Sequence, residues 1–171
     1  MNKNKMLESF MTEHETAIKT FISEVRFELE QIQSLKDDMQ LLKKVFGDEE
    51  PGKFNCSAAG YLLHNFYNGV ENIFKQVASV FGNKVDKEEW HSAFLRRMLL
   101  EIEDIRPKVI SEDLYKTLLE YKNFRHFFRN AYLFELDWSK MKGLVDDFEK
   151  SIDAFDSEIR VFIEAARNMI K

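Results

Sequence analysis

Helix breakers are scarce in this chain, with only 2 prolines and 6 glycines among 171 residues. Strand signals are absent too. The single cysteine, Cys56, excludes an internal disulfide framework and is compatible with a reducing cytoplasm. The histidines at 14, 64, 91 and 126 are scattered, and neither His-x-x-x-His nor Cys-x-x-Cys spacing occurs. No zinc site is therefore expected. No glycine-rich phosphate loop is present, which argues against intrinsic ATP or NAD binding, and no cofactor is expected. No apolar run approaches the roughly 20 residues needed to cross a bilayer. Met-Asn-Lys-Asn-Lys, followed by Glu8, Glu13 and Glu15, lacks the apolar core of a signal peptide. A soluble, cytoplasmic protein without a membrane partner is expected. The net charge of −5 does not suit a general nucleic-acid binder, so any such contact has to be local.

What is present suits a helical globular protein: 44% hydrophobic residues, 32% charged residues and 16 phenylalanines for an aromatic-rich core. The length favours one domain over residues 1–171.

Residues 6–45 read as one long helix. Ile18, Phe21, Ile22, Val25, Leu29, Ile32, Leu35, Met39 and Leu42 recur mostly at three- and four-residue steps. Gly47 to Gly52, with Pro51, is the first clear break. Residues 56–81 read as a second helix, with a broad apolar face from Leu62 to Phe81 that suits a central position. Gly82-Asn83 stops it. Asp86 is a candidate cap for a third helix, with Trp90, Phe94, Leu95, Met98 and Leu99 as its inner stripe. A connection from Glu103 to Ile110 holds Arg106-Pro107. Ser111 then suits an N-cap, with Glu112 and Asp113 in the first turn of a fourth helix that runs to about Glu135. Asp137 suits the cap of a fifth. There, Met141, Val145, Phe148, Ile152, Phe155, Ile159, Phe162, Ala166 and Met169 step by 4 and 3 in turn. This heptad-like seam can pack within the chain or pair two chains. About five helices with short connections predict an all-α, mainly antiparallel bundle.

The chemistry concentrates between Tyr121 and Trp138. No acid occurs between Glu120 and Glu135. On a helix, Phe124, Phe127, Phe128 and Ala131 fall together and are expected to face the core. Arg125, Arg129 and Tyr132 form one row, and His126 and Asn130 a second beside it. A solvated polar face is the plain reading of such a helix. However, these cations lack the i±4 acidic partners that a solvated face commonly uses. Histidine exchanges protons near neutral pH, and arginine forks onto phosphate oxygens. Those parts suit metal-free RNA cleavage, in which a ribose 2′-hydroxyl attacks the adjacent phosphorus.

Glu71 is the only acid between Glu50 and Asp86, with His64 and Tyr67 at i−7 and i−4. Two readings stand: an exposed pair with Lys75 at i+4, or a buried carboxylate that faces the fourth helix and orients an arginine.

The run Arg125-His126-Phe127-Phe128-Arg129-Asn130-Ala131-Tyr132, with Phe134-Glu135-Leu136-Asp137-Trp138 after it, resembles the signature helix of HepT-like ribonuclease toxins of the HEPN superfamily. Leu63-His64-Asn65-Phe66-Tyr67 with Glu71, then Trp90-His91, then Arg106-Pro107, extend the resemblance over most of the chain from the second helix onward. The resemblance implies a metal-independent endoribonuclease, the toxin half of a bacterial toxin–antitoxin pair, acting as a homodimer on RNA. It also implies a nucleotidyltransferase antitoxin that silences the toxin by adenylylating a tyrosine. By position, the arginine role falls on Arg125 or Arg129 and the histidine role on His126, and Asn130, where a histidine is expected, completes the candidate catalytic set. Tyr132 is the modifiable tyrosine, and Glu71 and Tyr67 support the site. The family's motif is an arginine followed, after four to six residues, by a histidine. Here that window opens on Asn130, and the nearby histidine directly follows Arg125. The alternative expectation is a catalytically inactive helical binding or dimerisation module.

Overall fold

The computed structural model describes residues 3–47, 49–81, 90–130 and 136–170, with side-chain detail from residue 12 onward and, after the second helix, from residue 94. It contains six helices among these residues: α1 (Lys3–Phe46), α2 (Lys53–Val80), α3 (Trp90–Arg97), α4 (Glu112–Asn130), α5 (Trp138–Asp146) and α6 (Phe148–Asn168). The fold is all-α. The expected Asp86 cap and the end of the fourth helix beyond Asn130 lie outside the described residues.

Four long helices close a ring, each antiparallel to its neighbours. Phe21 of α1 meets Phe81 at the end of α2, whereas Ile32 lies against Gly69, so the two helices run in opposite senses. Gly60 and Asn68 of α2 meet Phe128 and Arg125 of α4 in the same reversed order. Ser111 at the start of α4 bonds Glu158, and Tyr121 further along bonds Ser151, both on α6. Arg26 and Gln40 of α1 reach Glu164 and Glu149, so α6 also runs against α1.

The ring is filled by aromatic side chains. Phe66 makes edge contacts with Tyr121, Phe148 and Phe155 at 4.9, 5.8 and 6.1 Å. Such edge-to-face geometry suits the ring quadrupoles. Tyr121 keeps its hydroxyl satisfied while buried, donating to the Leu144 carbonyl at 3.0 Å and pairing with Ser151 Oγ at 3.1 Å.

The start of α4 is fixed twice. Ser111 Oγ accepts the Leu114 amide at 3.1 Å, the usual N-cap bond. Glu158 of α6 then takes both the amide and the hydroxyl of Ser111 at 2.6 Å each. Before it, the chain turns tightly through Asp104, whose φ is +58°, and closes with paired Ile102–Arg106 backbone bonds of 2.9 Å. That turn sends Arg106 inward, where Nη1 donates to the carbonyls of Leu100 and Pro107 and Nη2 to that of Arg97. Arg106 is 2% exposed, so it serves as a buried clamp on the α3–α4 connection.

Two expectations are corrected and one open alternative is decided. The second helix starts at Lys53, three residues early, because Gly52 adopts an extended N-cap conformation and its carbonyl receives the Cys56 amide. The expected fifth helix is two helices. Asp147, at φ −87° and ψ 2°, ends α5 with its amide on the carbonyls of Gly143 and Val145, and α6 starts at the next residue. The apolar step from Val145 to Phe148 crosses the joint with the same three-residue spacing found elsewhere in the seam, so periodicity does not reveal it. Finally, the heptad-like seam lies inside this chain: Phe155 is fully buried, with Phe74 at 5.8 Å. Met169 alone of the seam is exposed. The Asp137 cap of α5 is observed, its carboxylate accepting from the Ser139 amide at 3.0 Å.

Candidate active site on the α2–α4 seam

The antiparallel pairing of α2 and α4 sets two polar rows against each other. On α2, His64, Asn68 and Glu71 follow i, i+4, i+7 spacing and share one side of the helix. On α4, Arg125 turns toward them. Its Nη2 lies 3.0 Å from Glu71 Oε2, and its Nε donates to Asn68 Oδ1 at 2.6 Å. Both members of the ion pair are largely shielded, with side-chain exposures of 16% and 10%. Lys75 reaches the same Glu71 oxygen from 4.0 Å, on the solvent side. Of the two readings of Glu71, geometry selects the one that faces α4, with Lys75 as a peripheral neighbour.

Burial and charge tune the neighbours. Tyr67 is buried, and desolvation first and the Glu71 carboxylate second push its phenol well above the ordinary range. It therefore stays protonated at any physiological pH. Lys122 is half-buried; desolvation lowers its pKa, partly offset by Glu71. His64 is shifted down from its ordinary value by burial, and then by the charges of Arg125 and Arg129, with Glu71 acting in the opposite direction. Its Nδ1 is buried and has no hydrogen-bond partner among the described residues. Its ring lies 5.3 Å from that of Phe128, tilted by 35°.

Phe128 owes its position to Gly60. A Cβ on Gly60 would sit 2.6 Å from Phe128 Cε2, so only a hydrogen fits there. Phe124 stacks on Phe128 at 5.7 Å and is buried. The expected phenylalanine face is nevertheless incomplete, because Phe127 is 41% exposed. At about 100° per residue, Phe127 cannot share the inward direction of both Phe124 and Phe128. Ala131 lies outside the described residues.

The remaining expected site residues point outward. His126, Arg129 and Asn130 are exposed. Asn130 folds back on its own helix, donating to the His126 carbonyl at 2.8 Å. Arg129 has no ion pair among the described residues. The expected row of Arg125 and Arg129 thus splits, one inward and clamped, the other outward. Tyr132 lies outside the described residues. Asn68 was not singled out by sequence. Its only signal is its position three residues before Glu71. Among the described residues, no group of three or more His, Cys, Asp or Glu side chains gathers as a metal-ligand set. No described helix is long and apolar enough to cross a membrane.

The described residues thus form an all-α bundle in which Arg125 of the fourth helix is held by Glu71 of the second. The model of the HepT-like protein family matches residues 58–166, more than half of the chain, and the chain belongs to that family. Neither a curated protein nor a solved structure matches it.

Proposed function

We propose that this HepT-like protein is a metal-independent endoribonuclease, the toxin of a bacterial toxin–antitoxin pair, acting in the cytoplasm as a homodimer. The observation that carries the reading is the clamped Arg125 and the exposed Arg129, which has no ion pair among the described residues, on a stretch that holds no acid between Glu120 and Glu135 within a chain of net charge −5. In this reading Arg129 meets the RNA phosphate. Arg125, fixed by Glu71 and Asn68, presents its remaining edge to the same charge as it grows in the transition state. His126 transfers protons, and Asn130 fixes geometry once RNA or a second copy covers it. Tyr67 lines the carboxylate side. Tyr132, three residues after Arg129 in sequence, is the tyrosine a nucleotidyltransferase antitoxin adenylylates, adding negative charge that blocks RNA. The test is cleavage of a mixed RNA pool in EDTA. Wild type is expected to cut, while Arg129→Ala and His126→Ala do not. An uncut pool with wild type overturns the reading.

A second reading is favoured by Arg125 itself, whose Nε and Nη2 are already engaged within the chain. Here the domain is a catalytically inactive binding or dimerisation module that docks through the α4 surface around the exposed Phe127. Intact RNA, together with a stable dimer that Phe127→Asp disrupts, supports it.

A further inference from the structure

We propose that His64 of α2 is the proton acceptor of the RNA-cleaving site, a role that rests on the ribonuclease reading above. Two histidines lie near the arginines in sequence or space, and they differ in direction. His126 follows Arg125 directly, so its side chain leaves α4 about 100° away from that arginine, and it is exposed. His64 sits on the α2 row that already holds Arg125, one turn before Asn68 and two before Glu71. The histidine that shares a face with the clamped arginine therefore comes from the other helix. It fills the chemical need left where the sequence has Asn130.

The state of His64 fits an acceptor. Nδ1 is buried and has no partner among the described residues, so none of their donors holds its lone pair. A buried N–H without an acceptor costs more than a free lone pair, which favours the tautomer with the proton on Nε2. The charged groups acting on the ring are Arg125 and Arg129 from α4 and Glu71 from α2, and burial with the two arginines holds the imidazole neutral at physiological pH. Because Nδ1 is closed to water, a ribose has to displace a neighbouring side chain to reach it. The half-buried Phe128 ring at 5.3 Å is one such neighbour.

The step balances within the site. Nδ1 takes the proton of the 2′-hydroxyl, the O2′–P bond forms and the P–O5′ bond breaks. The departing 5′-oxygen takes a proton from His126. The products are a 2′,3′-cyclic phosphate and a 5′-hydroxyl, and both histidines recover their protonation states from water. No oxidant, reductant or metal is needed.

The experiment is single-turnover RNA cleavage in EDTA by wild type and His64→Gln, across pH values on both sides of the ordinary imidazole pKa of about 6.5. Circular dichroism melts are run in parallel. His64→Gln is expected to keep the helical fold, to lose about 10²–10⁴-fold in rate, and to lose the wild-type fall in rate at acid pH. A His64→Gln protein that cuts at the wild-type rate with an unchanged acid limb overturns the proposal while leaving the ribonuclease reading intact. A wild type that cuts no RNA overturns both. Should His64→Gln fail to fold, wild-type NMR decides. The His64 Cε1–H resonance, assigned by replacing the other histidines singly, is expected to shift when a 2′-deoxy oligonucleotide is added. A resonance that stays put overturns the proposal.

Discussion

Arg125 reaches from α4 to Glu71 on α2, with Nη2 and Oε2 3.0 Å apart, and this contact ties α4 to the centre of the bundle. Neither group is comfortable alone. The carboxylate sits among Tyr67, Lys75 and Lys122, and the guanidinium uses Asn68 for a further bond. Removing one partner strands the other in a shielded place.

That dependence is measurable as coupling. Arg125→Met is expected to cost about 1.5–3 kcal/mol, the usual range for losing hydrogen bonds to a charged group. Combined with Glu71→Gln, the loss should fall short of the sum by at least about 1 kcal/mol. Urea denaturation of the two single variants and the double variant gives the cycle. Strictly additive losses would mean that the pair contributes nothing. Glu71→Gln alone should lower RNA cleavage more than stability.

Gly60 makes room for Phe128, and that room is expected to be irreplaceable. Gly60→Ala puts a methyl group 2.6 Å from the ring, which has to move together with its contact to His64. A cost of about 1–3 kcal/mol is expected, as for other overpacked cores. Adding Phe128→Leu should recover part of it, because the leucine leaves that space open. A melting temperature unchanged by Gly60→Ala would refute the steric account.

Arg106 satisfies three carbonyls around the α3–α4 connection while itself buried. Lysine can bring its charge but not its planar fork. Arg106→Lys is thus expected to destabilise by at least about 2 kcal/mol, since each buried polar group left unpaired costs about 1–3 kcal/mol. Chemical denaturation checks this, and amide exchange should quicken first at Ile102 and Val109.

His64 predicts the sign of one pH effect. Its folded pKa is lowered, so below about 6.5 the unfolded chain binds more protons than the folded one. Stability therefore falls as pH drops from that value towards the folded pKa, below which the contribution levels off. His64→Gln should lose less stability than wild type over the same window. Denaturation midpoints at several pH values make the comparison, and parallel curves would contradict it.

Much of the bundle was legible beforehand, because local rules write it into short stretches. The three- and four-residue steps marked α1 and α2, and Ser111 and Asp137 announced their helices through capping chemistry that needs only a few neighbouring residues. The joint at Asp147 stayed hidden because Val145 and Phe148 keep the apolar step across it. The seam's destination was equally open, since a heptad pattern reads the same whether its partner is another chain or Phe66 and Phe74 of its own.

By itself, the sequence determined that the chain is helical, roughly where most helices lie and which stretch of α4 carries no acid, because these follow from order along the chain. Only the packing of α2 against α4 decided that Arg125 turns inward to Glu71 and Asn68, that Arg129 and His126 are left outside, and that His64 joins the arginines. Side chains 57 residues apart meet through the rotation and register of two helices, which the whole core fixes and no local stretch encodes.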